Sequence, residues 1–497
     1  MSWRPDVRNR DQESLAARLL ADGSRTLLKR LQAGGWLARI AAAVAVIVAA
    51  VLAAIVALEV TPMQTVTVAG QVIKVGAAPR LGFSGPGEVD LFGQGLPTAI
   101  SIPGPIQPRL QLSQITLNSE LANFVQGHSP SHAGLALRTQ LVVGWEHYFA
   151  WETAAAALAA LILAGAVAGW RRLSGKATGV LLVVVLIVTG ALNLGAVAVT
   201  ANGAQNALGN VSSLNQLVGR ADVTVPQPTP SQPALKGIQE VVIGDSTAAG
   251  AGLPPVAHPS SADNACGRSS QSYAVDLASV NGWRALNLAC DSATIANGLL
   301  GPQPQGGLQI PPQLASLTEV QDPTVVIVSV GADDLQWSAI LQICAASTQC
   351  DNLASNAYFQ QQLAHFSSDY LQLLIQLGSL PGHPRVIINR YYDPFGSNVS
   401  CITHRGLTEA KVATIRTWLE ALNQVLAKGA AQSGFLSPQP SFAGHALCSP
   451  QPYVQGLGDA APFHPTASGQ LAIALTDEVA LASQPSQSPT PSASPSG

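Results

Sequence analysis

Three apolar runs stand out against the rest of the chain: Ile40 to Leu58, Thr153 to Trp170 and Ala177 to Val199. A bilayer's hydrocarbon core takes about 20 helical residues, so the pattern predicts spanning helices over 36–59, 153–170 and 177–199. Ahead of them, 1–35 is read as a cytoplasmic segment. Its Leu15, Leu19, Leu20, Leu27, Leu28 and Leu31 alternate with charges, which suits either an amphipathic helix on the inner membrane face or a solvated tail. The polar stretch before Ile40 is too long for the usual basic region of a cleaved signal peptide, so the first span is expected to stay as an anchor.

Between the first two spans, 60–152 alternates in character, as in Thr65-Val66-Thr67-Val68 and Arg109-Leu110-Gln111-Leu112, with many Gly and Pro. Short strands and turns, a small extracytoplasmic β-rich region, are expected there. Basic residues set the orientation. Arg25, Lys29, Arg30 and Arg39 precede the first span, and Arg171, Arg172 and Lys176 fill a turn over 171–176. Both clusters lie inside if the N-terminus is cytoplasmic, and Trp36, Trp145, Tyr148, Trp151 and Trp170 fall near span ends, as interfacial rings do. The second span is short and alanine-rich, and its failure to insert would reverse the final domain's side. Gly165 and Gly169 form a small-residue face that would seat the third helix or another copy of the chain. Asn193, toward the outer end of the third span, is expected to bond across helices or to reach interfacial water.

After the third span the pattern changes period. A Pro-rich linker over 200–236 leads into 237–483, and a Ser/Pro tail over 484–497 lacks the apolar residues to fold. Within 237–483, apolar runs at 238–243, 285–289, 324–330 and 385–389 read as buried strands, separated by helical stretches such as 358–377 and 408–428. Strand and helix in alternation predict a parallel sheet with both faces covered.

Chemistry sits at the strand ends. Val241-Val242-Ile243-Gly244-Asp245-Ser246 delivers a hydroxyl to the carboxyl end of a strand, where open α/β sheets place their sites. Phe463-His464-Pro465 supplies an imidazole at the start of a helix, and serine nucleophiles require such a base. A third strand ends in Gly331-Ala332-Asp333-Asp334. All six cysteines, 266, 290, 344, 350, 401 and 448, follow the third span, an even set that points to disulfides in an oxidising compartment and leaves many pairings open. With no Cys-x-x-Cys pair, and His128, His132 and His147 lacking ligand spacing, no metal or cofactor is expected. A net charge of −3 argues against a nucleic-acid partner, and a charged fraction of only 11% suits a membrane component.

Gly244-Asp245-Ser246, Gly331 to Asp334 and His464-Pro465, in that order, resemble the blocks of the SGNH, or GDSL-type, hydrolases. Cys266-Gly267-Arg268-Ser269 with Tyr273, and Leu288 to Thr294, are similar to disulfide-bearing secreted esterases and lipases of high-GC bacteria. The resemblance implies a three-layer α/β/α sandwich, and disulfides between Cys266 and Cys290, Cys344 and Cys350, and Cys401 and Cys448. It also implies Ser246 as nucleophile, His464 as general base, and an oxyanion hole from the backbone N–H groups of Ser246 and Ser292. The chain departs from the pattern three times. Ser292 stands where the family's second block offers a glycine, and a serine still donates its backbone N–H. Asp333 stands where the family places an oxyanion-donating Asn, and an ionised carboxylate only accepts. Ala461 stands where the triad acid is placed, so either Asp459 reaches His464 by another loop path or a backbone carbonyl orients the ring. The expected function is an anchored serine esterase or lipase acting outside the membrane on O-acyl groups of lipids or envelope glycans. Alternatives are an O-acyltransferase using the same serine and a non-catalytic binding module. A partner membrane protein or a homo-oligomer through the spans is possible on either reading.

Overall fold

The computed structural model describes residues 36–68, 71–114, 131–208 and 235–483. The segment 1–35, positions 209–234 of the linker and the tail from 484 lie outside the described residues, and the start of the expected linker, to Leu208, is helical. Two compact units emerge.

The first unit holds three long helices and a sheet. Helix α1 is Trp36–Val60, α2 is Ser131–Trp170 and α3 is Gly175–Leu208. All three carry windows long and apolar enough to cross a membrane: Ile40–Val60, Val143–Trp170 and Gly175–Ala204. Their mutual contacts are made by small residues, Ala53, Ala160 and Ala164 with Val185, which lets backbones approach where no hydrophobic effect separates helix from lipid. Ala160, Ala164 and Ala168 therefore form the interface, whereas nothing lies within 4 Å of a side chain built at Gly165 or Gly169. Helix α2 also begins at Ser131, well before Thr153, so the last part of the expected β-rich region is helical. No proline interrupts the chain from Ser131 to Trp170, and the helix carries on past the apolar run that marked the span. Asn193 Nδ2 donates to Glu152 Oε2 at 2.6 Å and to Thr153 Oγ1 at 3.0 Å, a polar clasp between α2 and α3.

The sheet of this unit comprises β1 (Gln64–Val68), β2 (Gln71–Pro79), β3 (Ser84–Leu91), β4 (Gln94–Pro103) and β5 (Ile106–Gln114), in the spatial order β1-β2-β5-β3-β4. β1 and β2 run antiparallel with Thr65 opposite Lys74. β4 alternates exposed and buried positions, the period-two pattern of a sheet with one covered face.

The second unit contains residues 235–483 and the hairpin tip Asp90–Leu96. Its elements are β6 (Glu240–Gly244), α4 (Ser246–Ala249), α5 (Tyr273–Asn281), β7 (Ala285–Asn287), β8 (Gln303–Gln305), β9 (Leu308–Ile310), β10 (Val325–Ser329), α6 (Leu353–Gly378), β11 (Arg385–Ile388), α7 (Glu409–Gln432) and α8 (Ala467–Ala482), with shorter helices between them. A parallel sheet of order β11-β10-β6-β7 forms the middle layer, with Val326 opposite Val241 and Val386. Helices α5 and α8 pack together on one side, α6 and α7 on the other. The result is the three-layer α/β/α sandwich. β6 and β10 are buried at every position, which is why they read as unbroken apolar runs rather than alternating ones. Each fully buried Val or Ile there contributes about 1.5–3 kcal/mol. The disulfides pair Cys266 with Cys290, Cys344 with Cys350 and Cys401 with Cys448.

Candidate active site

The site grows from the carboxyl end of β6. Gly244 has φ +149°, and a Cβ there would lie 2.1 Å from the Ser329 carbonyl oxygen of β10, so only glycine lets the two central strands approach this closely. The chain then turns sharply. The Asp245 backbone N–H donates to Ser329 O at 2.9 Å, the Asp245 side chain caps α4 by accepting from Thr247 N at 2.9 Å, and Ser246 opens that helix, 6% exposed. An N–H in a helix's first turn has no intrahelical acceptor, so the Ser246 amide is free to meet an anion.

His464 arrives from the loop before α8. Gln455 holds that loop: its Nε2 donates to Ala251 O at 2.8 Å and Pro465 O at 3.0 Å, while its backbone N–H donates to His464 O at 2.7 Å. Gln470 in α8 ties the same region to α4, donating to Thr247 O at 2.9 Å. The outcome is a hydrogen bond of 2.7 Å between His464 Nε2 and Ser246 Oγ, across 218 positions of sequence. The far ring nitrogen, Nδ1, lies 3.2 Å from the Pro462 carbonyl oxygen. A protonated Nδ1 facing that carbonyl leaves Nε2 as the basic nitrogen, the tautomer that accepts a proton from serine.

Asp459 is not brought to the ring. It is exposed, and its Oδ2 accepts from Gly456 N at 2.6 Å, closing its own turn. That turn spans only Gly456 to Asp459, and the acceptor beside the His464 ring is instead the carbonyl of Pro462.

Ser292 lies just after Cys290 and has φ +61°, the left-handed region that favours glycine. The turn is enforced on both sides: Asp291 N donates to Cys266 O at 3.0 Å and Ala293 N to Cys290 O at 3.1 Å. Asp334 Oδ1 accepts from Ile295 N at 2.9 Å and ties this loop to the end of β10.

Asp333, beside it, carries an Oδ2 that is buried and has no hydrogen-bond partner among the described residues. Burial pushes its carboxyl up to about 8, helped by the negative charges of Asp245 and Asp291. Burial raises Asp245 too, but donors from Tyr391 and Thr247 and the nearness of His464 pull the other way. Tyr391 Oη donates to Asp245 Oδ2 at 2.5 Å and accepts from Ala332 N at 2.9 Å. Asp245 is thus the carboxylate furnished with donors, and Asp333 is the one that holds a proton at neutral pH.

Tyr391, Gln455 and Gln470 belong to none of the sequence motifs. Tyr391 alone had a signal: it closely follows β11, at the carboxyl end where the other site residues lie. Among the described residues no cluster of metal-ligating side chains occurs.

The family model for the GDSL-like Lipase/Acylhydrolase family matches residues 242–472, from β6 into α8. The C-terminal domain belongs to this family. It is a serine hydrolase of the esterase and lipase kind. Among curated relatives, a lipase of Streptomyces rimosus is 29% identical over 250 residues, which is 48% of this chain and 85% of that protein. Lipase 1 of Streptomyces coelicolor is 25% identical over 273 residues, 53% of this chain and 93% of the relative. Among solved structures, the extracellular lipase of Streptomyces rimosus aligns with a TM-score of 0.40 and 25% identity, covering 49% of this chain and 99% of that one. Phospholipase A1 of Streptomyces albidoflavus aligns with a TM-score of 0.37 and 22% identity, over 51% of this chain and all of that one.

Proposed function

We propose that the protein is a membrane-anchored esterase whose GDSL-type domain works outside the membrane, hydrolysing O-acyl esters of lipids or envelope glycans through an acyl-enzyme on Ser246. The observation that carries this is the 2.7 Å bond between Ser246 Oγ and His464 Nε2 at the carboxyl end of the sheet.

In the first half-reaction His464 Nε2 takes the Ser246 proton as Oγ attacks the ester carbonyl carbon. The resulting oxyanion meets the N–H groups of Ser246 and Ser292 and the hydroxyl of neutral Asp333. Collapse breaks the acyl–oxygen bond, and the imidazolium returns its proton to the departing alkoxide. Water, deprotonated by the same imidazole, then releases the acid and restores Ser246. Pro462 O orients the ring in place of a carboxylate, a dyad rather than a triad.

Anchoring outside the membrane is supported by three apolar helices, by the exposed turn Arg171–Arg172 between α2 and α3, whose Arg171 lies over the Trp170 ring at 5.5 Å, and by disulfides confined to the C-terminal unit. Full-length protein in detergent is to be assayed on short activated esters. Activity lost in Ser246→Ala, with free acid as product, supports hydrolysis. Transfer of the acyl group to an added glycan or lipid hydroxyl in preference to water would replace the esterase by an acyltransferase, and an inactive well-folded wild type would reject both.

A further inference from the structure

The β2–β3 loop of the first unit leaves two large apolar side chains in solvent. Leu81 is 107% and Phe83 is 85% exposed. Every other exposed large apolar residue described in that unit lies on α1, α2 or α3, where lipid would cover it. The loop is also cross-braced by hydrogen bonds. The Arg80 backbone N–H donates to Pro105 O at 3.0 Å, and Gly104 N donates to Phe83 O at 2.7 Å. The Arg80 guanidinium donates to Ile102 O at 2.9 Å and also to Pro86 O, so the basic group braces the loop from within.

Its height along the helices follows from packing. Leu58, Ala77, Ile106 and Tyr148 form one cluster with Ala196 and Val197 packed against it. That level is the outer end of the apolar run of α1, since Ile40–Val60 is 21 residues and spans roughly 30 Å at about 1.5 Å per residue. The loop sits slightly further out. A Cβ on Gly104 would strike Thr200 Oγ1 at 2.1 Å, so the glycine permits close contact with α3, and Gly203 lies against the Pro103 ring. Thr200 is about one helical turn beyond Ala196, roughly 5–6 Å. Leu81 and Phe83 therefore project at the boundary of headgroups and acyl chains, the depth at which apolar side chains of interfacial elements rest.

We propose that Leu81 and Phe83 dip into the outer leaflet, so that the β2–β3 loop is a lipid-contacting foot holding this sheet against the membrane surface. The inference rests on the spanning assignment of α1 to α3 made above. A loop braced by its own carbonyl contacts loses little freedom on insertion, and its level at the outer end of the spans, where the other exposed apolar side chains of this unit face lipid, points to lipid as the occupant.

The test uses the full chain in lipid nanodiscs. All six native cysteines are paired, so Phe83→Cys or Leu81→Cys supplies one thiol for an environment-sensitive dye. Ile47→Cys, on the exposed face of α1, serves as the reference within the bilayer. Dye at position 83 should be blue-shifted, shielded severalfold from aqueous iodide, and quenched most by lipids brominated just below the headgroup. Dye at position 47 should be quenched most by bromines deep in the chains. Full iodide access at positions 81 and 83, with the dye at position 47 still quenched by lipid, overturns the lipid foot and leaves the spans intact. Shielding from iodide without bromine quenching identifies a second copy or another protein as the occupant and also overturns it. An Ile47 label untouched by brominated lipid removes the spanning assignment itself, and the foot with it.

Discussion

Replacing Asp333 by Asn tests the most unusual feature of the site. Asp333 faces Asp245 and Asp291, with Asp334 next to it, and its carboxyl is pushed up to about 8 by burial first and by those charges second. Below that value it is neutral and donates; above it, it is an anion beside a developing oxyanion. Losing one oxyanion donor costs on the order of 10²–10³ in rate, about 2.7–4 kcal/mol, and each pH unit above the titration point removes about tenfold of the neutral form. Wild-type kcat/KM on an activated ester, corrected for spontaneous hydrolysis, should therefore fall about fivefold between pH 8 and pH 9, to about a tenth of its plateau, and continue down toward a floor about 10²–10³ below that plateau. An amide donates at every pH. Asp333→Asn should hold its plateau through this range and exceed the wild type by about tenfold at pH 9. An alkaline fall that is the same in both proteins, or an Asn variant slower than wild type at pH 9, would refute the neutral-acid role.

Further outcomes follow from other contacts. Asp459→Ala should change kcat/KM by less than about threefold, because Asp459 caps Gly456 rather than touching His464; a loss on the order of 10³ or more would restore it as the triad acid. Tyr391→Phe removes a donor from buried Asp245 and an acceptor from Ala332 N, and should lower stability by about 1–3 kcal/mol in a denaturant titration; an unchanged midpoint would count against that network. Glu240 and Asp477 are buried together, each carboxyl raised to about 8 by burial. Both bind protons more tightly folded than unfolded, so the stability they confer is full below their ordinary values near 4 and is lost as pH rises through about 8. Asp477→Asn should flatten the decline of Tm between pH 5 and pH 9, and a parallel decline would exclude the pair as its cause.

The sequence made the large-scale plan legible where a residue's role depends on local pattern. Apolar runs marked three helices, and the unbroken apolar character of β6 and β10 marked a sheet covered on both faces. Ser246 was visible because Gly244 is demanded by the neighbouring backbone, and His464 because it precedes the proline and cap of α8. What was illegible depends on tertiary approach. The helical stretch from Ser131 falls within the β-rich region expected over 60–152, and its membership of α2 shows only in the fold. Gly165 and Gly169 do not seat the third helix, since neighbouring alanines already let the helices meet. The orientation of His464 by Pro462 O leaves no side-chain signature at all, and Gln455 and Gln470 reach the site only once the chain has closed over more than 200 positions.

The pairing of Ser246 with His464 is tested most directly by covalent labelling of the intact protein with a fluorophosphonate, followed by mass mapping of the adduct. One adduct per chain on the peptide containing Ser246, formed on the order of 10³-fold more slowly in His464→Ala, is the predicted result. Labelling at another residue, or at Ser246 with an unchanged rate in His464→Ala, would contradict the account.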